Sequence, residues 1–235
     1  MFHSDPDYAR FGEMKIEEPT QASDGSRERA ADANDLRRRS YAEEAPGYDK
    51  EMDLFEAVVL GREHRRWACS RATGEVLEVA IGTGLNLPHY SAEVRLTGLD
   101  LTAEMLAVAS ERARSLGRSI HLYEGDAQAL PFTDGSFDTV LSTYAMCSVP
   151  DVSRVVSEMK RVMKPGGRLI LVDHIGSTVK PIFWLQRLIE VFESRKGEYM
   201  TRRPLKEVEA AGFQIQTRNR LRAGIVERLV AIKAA

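Results

Sequence analysis

Apolar residues fall along this chain in two rhythms. Short runs dominated by Val, Leu and Ile, at 76–80, 94–99, 119–123, 137–142 and 168–173, predict five strands. Between them the apolar positions recur every three or four residues. Met105, Ala109 and Ala113 predict a helix over 102–116 with Thr102 as its N-cap, and Val152, Val155, Val156, Met159 and Val162 predict another over 151–163, capped by Asp151 after Pro150. Both stripes read as core. Lys164-Pro165-Gly166-Gly167 predicts a turn before the fifth strand, and runs at 213–217 and 225–232 are placed to close the sheet as an antiparallel pair. This alternation of strand and helix implies a three-layer α/β fold with a mainly parallel sheet.

Two further amphipathic stretches flank these units. Met52, Phe55, Val58, Val59 and Leu60 start a pattern that continues to Trp67 and predicts a helix beside the sheet, partly roofing a ligand crevice. Residues 181–192 predict a helix inserted after the fifth strand, part of a substrate-side insertion at about 175–203. Its aromatic side is expected to wall an apolar pocket, with Tyr199, Arg202 and Arg203 following, whose guanidinium groups suit a carboxylate or phosphate. Ahead of the domain at 47–235, residues 1–46 are rich in charge, Ala and Ser with few apolar anchors and read as a mobile region. Arg37-Arg38-Arg39 is offset by Asp32, Asp35, Glu43 and Glu44 and reads as a solvated helix face.

The chemistry concentrates where the first strand ends. Val76-Leu77-Glu78-Val79-Ala80-Ile81 runs into Gly82-Thr83-Gly84, where glycines let the backbone turn tightly and a ligand lie against it. Asp100 closes the second strand, placed to accept hydrogen bonds from ribose hydroxyls. A dinucleotide-binding fingerprint needs a third glycine opening a helix; here Leu85-Asn86-Leu87-Pro88 follows and the next glycine is Gly98. Pyrophosphate is therefore not the expected ligand. Glu78 adds negative charge near the turn, which suits a cationic or neutral ligand.

Composition narrows the classes. At 235 residues, 43% of them hydrophobic, the chain can bury one full core. A formal charge of −2 removes the large positive field of a general nucleic-acid binder. Cys69 and Cys147 are far apart and without a partner motif, so neither a disulfide framework nor a zinc site is indicated, which points to the cytosol. The first residues lack the basic and apolar segments of a secretory signal, and no run approaches a membrane-spanning length.

Four blocks then recur in order: Glu78 to Gly84, Asp100 to Leu106, Gly125-Asp126-Ala127-Gln128-Ala129-Leu130-Pro131-Phe132, and Arg161 to Leu169. Over roughly residues 48 to 233 the chain resembles the class I S-adenosylmethionine-dependent methyltransferases, in particular their small-molecule and phosphatidylethanolamine N-methyltransferase-like branch. The resemblance implies a Rossmann-like, seven-stranded methyltransferase fold with an antiparallel last strand. It implies S-adenosyl-L-methionine as cofactor, S-adenosyl-L-homocysteine as product, and no metal. The expected cofactor contacts are Glu78, Gly82, Gly84, Asp100, Leu101, Asp126 toward the adenine amino group, Ala127 beside the ring, and Ser142 near the methionine end. Ala80 departs from the family, which usually has glycine there.

Methyl transfer from a sulfonium is an in-line displacement, so the protein chiefly holds donor and acceptor collinear. His174, after Asp173 at the end of the fifth strand, is the general-base candidate, with a structural role as the alternative. Tyr48, Tyr144, Cys147, Trp184, Tyr199 and Arg202 are the candidate acceptor contacts, Cys147 as wall rather than nucleophile. The Asn-Pro-Pro-Tyr motif of many nucleic-acid adenine methyltransferases is replaced by Ser142-Thr143-Tyr144-Ala145, so no nucleic-acid substrate is expected. The expected reaction is methylation of O, N or S on a small, partly apolar metabolite. The alternatives are a phosphatidylethanolamine N-methyltransferase and a non-catalytic cofactor-binding partner protein. Trp184, Phe183 and Phe192 with Arg187 and Lys196 could rest in a membrane interface, but Glu190 and Glu193 interrupt the basic side, which disfavours peripheral membrane contact. Monomer and homodimer both stay open.

Overall fold

The computed structural model describes residues 24–194 and 197–234. Seven strands form one sheet: β1 (Glu75–Val79), β2 (Arg95–Asp100), β3 (His121–Glu124), β4 (Phe137–Thr143), β5 (Met163–His174), β6 (Phe213–Leu221) and β7 (Val226–Lys233), in the order β3-β2-β1-β4-β5-β7-β6. The first five pair in parallel and β7 runs antiparallel to both its neighbours. This is the expected three-layer Rossmann-like fold.

The period-two alternation sorts side chains onto two covered faces. Leu77 and Val79 of β1, Val140 of β4, and Leu169 and Leu171 of β5 pack with α5 (Val152–Val162) and α7 (Leu205–Ala210). Val76, Leu141, Ile170 and Val172, one residue out of step, pack with α3 (Glu63–Cys69) and α4 (Ala103–Ser115). Both faces are dry, which is why these strands read as continuous apolar runs. Each fully buried Leu or Ile contributes about 1.5–3 kcal/mol to the core.

Several local expectations are refined. The Asp151 carboxylate caps α5 by accepting from the Arg154 amide at 3.1 Å. Thr102 does not cap α4 with its side chain; the hydroxyl donates instead to Asp100 Oδ1 at 3.0 Å. The turn at 164–167 lies inside the span of β5, where pairing jumps from Phe137–Met163 to Thr139–Arg168 and the intervening residues loop out around Gly166. Asp138 orders this corner by accepting from the Glu75 amide and from Lys164 Nζ.

The single helix expected from Tyr48 to Trp67 is broken. α2 (Tyr48–Phe55) continues into one π-helical turn (Glu56–Leu60) and stops at Gly61, whose φ of +97° no helix accommodates, before α3 begins. Before α2 lies α1 (Asp24–Glu44), so the expected mobile region is helical from Asp24; its first 23 residues, and Lys196, lie outside the described residues. The helix α6 (Lys180–Glu193) fills the insertion after β5. Among the described residues no helix is long and apolar enough to cross a membrane.

Candidate functional site

β1 and β4 are neighbours whose connections depart to opposite sides of the sheet, so their carboxyl ends part into a crevice. The chain leaves β1 through three left-handed residues, Ala80 (φ +56°), Gly82 (+56°) and Gly84 (+78°). A Cβ added to Gly82 meets no heavy atom within 4 Å, so the space above this turn is a cradle open to a ligand. Gly84 serves packing instead, because a Cβ there would fall 2.8 Å from the Leu87 side chain and 3.3 Å from Ala109 Cα. Gly82, and not Gly84, lines the cleft that opens above the turn.

Asp100 stands across the turn. Its Oδ2 accepts from the Gly82 amide at 2.8 Å, and Oδ1 accepts from the Thr102 amide at 3.1 Å and the Thr102 hydroxyl. A carboxylate has about four lone-pair positions, so a ligand hydroxyl can still reach Oδ2. Burial holds the Asp100 carboxyl above its ordinary range despite these donors. Farther along the rim, Asp126 accepts from the Gln128 amide at 2.8 Å and from Asn34 Nδ2 at 2.7 Å. Leu99, Leu101, Met105 and Ala127 supply apolar walls between the two carboxylates, around a cleft of about 90 Å³. Two acidic edges, apolar walls and a bare glycine turn fit the ribose and purine of a nucleoside cofactor.

The roof comes from α1. Asn34, Arg37 and Tyr41 line the cleft, and Arg38 NH1 donates to the Leu101 carbonyl at 2.8 Å and to Glu124 at 2.5 Å. The solvated reading of the arginine triplet fails at Arg37, which is buried and donates to the Gly197 carbonyl at 2.9 Å. The sequence predicts closure of a segment containing Tyr41 and Tyr48 over the ligand. It does not predict the contacts of Asn34 and Arg38, because they are polar and reach residues far along the chain.

A second cavity of about 270 Å³ adjoins the first. Tyr41, Tyr48 and Tyr144 line both, and His174, Cys147 and Phe55 line the second together with Glu44, Glu51, Glu193 and Glu198. Tyr144 sits at the end of β4 in a left-handed conformation (φ +57°), a strained geometry for an aromatic residue that aims its ring between the cavities. His174 is buried, edge-on to Phe55, with Nδ1 3.5 Å from the Met200 carbonyl; burial lowers its pKa below the ordinary 6.5. Burial likewise pushes the Cys147 thiol well up, so it is an inert wall.

Several sequence candidates lie elsewhere. Glu78 lines neither cavity: its oxygens accept from Asn86 Nδ2 and the Tyr90 hydroxyl, each at 2.7 Å, on the face of β1 turned toward α3. Burial lifts its carboxyl to about 7. Ser142 is fully buried inside β4 and lines neither cavity. Trp184 is 68% exposed on the outer side of α6. Arg202 and Tyr199 line neither cavity: Arg202 stacks on Tyr199 and bonds the Val149 carbonyl, while the Tyr199 amide donates to the Cys147 carbonyl. These two brace the β4–α5 loop. A second polar core went unforeseen: Arg65 bonds Glu56 at 2.6 Å, Asn86 at 3.1 Å and Thr143 at 3.1 Å and lies over the Tyr144 ring, supporting the strained turn from below.

Comparison with known proteins agrees with this geometry. Residues 77–171 match the model of a methyltransferase domain. The chain is 41% identical over 126 residues to a phosphatidylethanolamine N-methyltransferase of Cereibacter sphaeroides, covering 53% of this chain and 62% of that one. It is 31% identical over 223 residues to the chloroplastic 2-phytyl-1,4-beta-naphthoquinone methyltransferase of Arabidopsis thaliana, covering 80% and 84%. The matches to the first curated relatives span 58% to 63% of their length. Among solved structures, a SAM-dependent methyltransferase of Methanosarcina mazei superposes with a TM-score of 0.57 at 25% identity, covering 68% of this chain and 92% of that one.

Proposed function

The chain belongs to the class I S-adenosylmethionine-dependent methyltransferases, and from that premise we propose that it methylates a small, partly apolar acceptor seated in the larger cavity. S-adenosylmethionine supplies the methyl group on an already electrophilic sulfonium. The chain's own residues then have three tasks. Gly82 offers bare backbone, Asp100 takes a ribose hydroxyl, and Asp126 with Leu101 and Ala127 frames the adenine. Tyr48 and Tyr144 fix the approach at the wall between the two spaces. His174 takes a proton: a tautomer with its hydrogen on Nδ1 donates toward Met200 and leaves Nε2 basic.

The observation that carries this reading is the sharing of Tyr41, Tyr48 and Tyr144 by the two cavities. Donor and acceptor spaces meet at those rings, as an in-line transfer requires. Of the three candidate acceptor atoms, nitrogen suits the lining best. Glu44, Glu51, Glu193 and Glu198 surround the cavity with acid, and the tyrosine and Phe55 rings offer faces that attract cations. The same lining favours, as a second reading, the ethanolamine headgroup that the Cereibacter relative's name specifies.

Transfer of a labelled methyl group to an apolar primary amine, a phenol, a thiol and phosphatidylethanolamine vesicles tests these readings. Label on the free amine is the expected result, and label on the vesicles alone would favour the second reading. Label on the phenol or thiol but not the amines would overturn the nitrogen assignment. Absence of any heat on titration with the cofactor would overturn the enzyme itself.

A further inference from the structure

The helix α6 is built inside out. Its inward face carries the polar residues: Gln186 accepts from the Ser177 amide at 2.7 Å and donates to the Ile175 carbonyl at 3.1 Å. Glu190 accepts from the Thr201 amide and hydroxyl at 2.7 and 2.8 Å. Both are buried, and Glu193 turns to the larger cavity. The outward face is apolar, with Trp184 68%, Leu188 62%, Phe192 61%, Val191 58% and Leu185 56% exposed. A helix packed on a soluble domain normally shows the opposite arrangement, apolar in and charged out.

The charges left outside have one sign. Glu190 and Glu193, the two acids that interrupt the basic side in the sequence, point inward, so α6 exposes only Lys180 and Arg187, the latter also paired with Glu190. Trp, Phe and Leu on one side, cations beside them and no outward carboxylate are the composition of a helix that lies in a lipid interface. At 14 residues it is about 21 Å long, enough to rest along a surface and too short to cross one.

We propose that the outer face of α6 docks this protein on the surface of an anionic lipid bilayer. The charge pattern selects that occupant: apolar side chains enter the headgroup boundary while Lys180, the unpaired charge on the exposed side of α6 among the described residues, meets anionic lipid and no carboxylate faces it. Glu193 belongs both to α6 and to the cavity wall, so docking sets the larger cavity one helix away from the membrane surface. The inference rests on the exposed face and not on the identity of the acceptor.

Flotation of the full chain with vesicles of phosphatidylcholine, with and without phosphatidylglycerol, tests it. The chain is expected to float with the anionic vesicles. Leu188→Glu with Phe192→Glu is expected to reduce the bound fraction at least tenfold while leaving the affinity for S-adenosylmethionine unchanged, which certifies the fold. Lys180→Glu is expected to remove the preference for anionic lipid. No flotation of the parent, or equal flotation of the double variant, overturns the proposal. So does a dimer that the double variant dissociates without any vesicle binding by the parent, because a second copy would then cover this face.

Discussion

The amide of Gly82 donates to Asp100 Oδ2 at 2.8 Å, tying the glycine turn after β1 to the carboxylate at the end of β2. One bond thus fixes the glycine turn and the carboxylate edge of the cleft relative to each other. Asp100→Asn puts an amide where Gly82 and Thr102 present donors and weakens the acceptor for the ribose. A hydrogen bond to a charged group is worth about 1.5–3 kcal/mol, so cofactor affinity is expected to fall roughly 10- to 100-fold in a calorimetric titration. Undiminished affinity would remove Asp100 from the cofactor site.

Ala80 occupies a left-handed position at φ +56°. That conformation costs an L-residue about 1–2 kcal/mol. Ala80→Gly is expected to stabilise the protein by about 1 kcal/mol, raising the melting temperature by about 2–4 °C for a chain of this size. A lower melting temperature in scanning calorimetry would show that the loss of chain entropy outweighs the relieved strain.

Much of this architecture was legible because it is written in local periodicity. The alternation in β1, β4 and β5 specified a sheet covered on both faces, and the Gly82–Gly84 turn with Asp100 located the cleft. Less legible were features built from long-range polar contacts. Asn34 and Arg38 look like surface residues of a charged helix until the fold sets them against Asp126 and Leu101. Glu78 looks like a ligand contact until the fold buries it outside both cavities, bonded to Asn86 and Tyr90. The inverted polarity of α6 was invisible for the same reason, since amphipathic spacing gives the division of a helix into two faces but not which of them turns inward.

Buried Glu78 makes stability depend on pH. Its carboxyl titrates near 7 in the folded protein, against an ordinary value of 4.5, because burial disfavours the charged form. A raised acid pKa contributes stability that is full below about 4.5 and is lost as pH rises through about 7. Glu78→Gln keeps the shape and removes the titration, so the stability of the parent relative to the variant should fall by about 2–3 kcal/mol between pH 4.5 and pH 7.5. Urea unfolding of both proteins across that range isolates the effect, since Asp173, which burial lifts to about 8, titrates in each. A constant difference would mean that Glu78 stays ionised, held by Asn86, Tyr90 and nearby Arg65.

His174 offers the sharpest separation of chemistry from binding. It lines the acceptor cavity but not the cleft framed by Asp100 and Asp126, so its loss should leave cofactor affinity within about twofold while turnover drops 10²- to 10⁴-fold, the usual worth of a positioned base. Burial lowers its pKa, so the imidazole is neutral at pH 7 and becomes charged only below the ordinary 6.5. The neutral form is the base, and kcat/KM should therefore fall as pH drops through that lowered value. His174→Gln is the informative variant, because it preserves most of the volume beside Phe55 and can still donate toward Met200 but cannot hold a proton near neutral pH. If His174 merely packs, the Gln variant keeps both its rate and the acid limb of its pH profile, and the base is another group. If His174 is the base, Gln and Ala lose the limb alike, and the residual rate becomes independent of pH in that range.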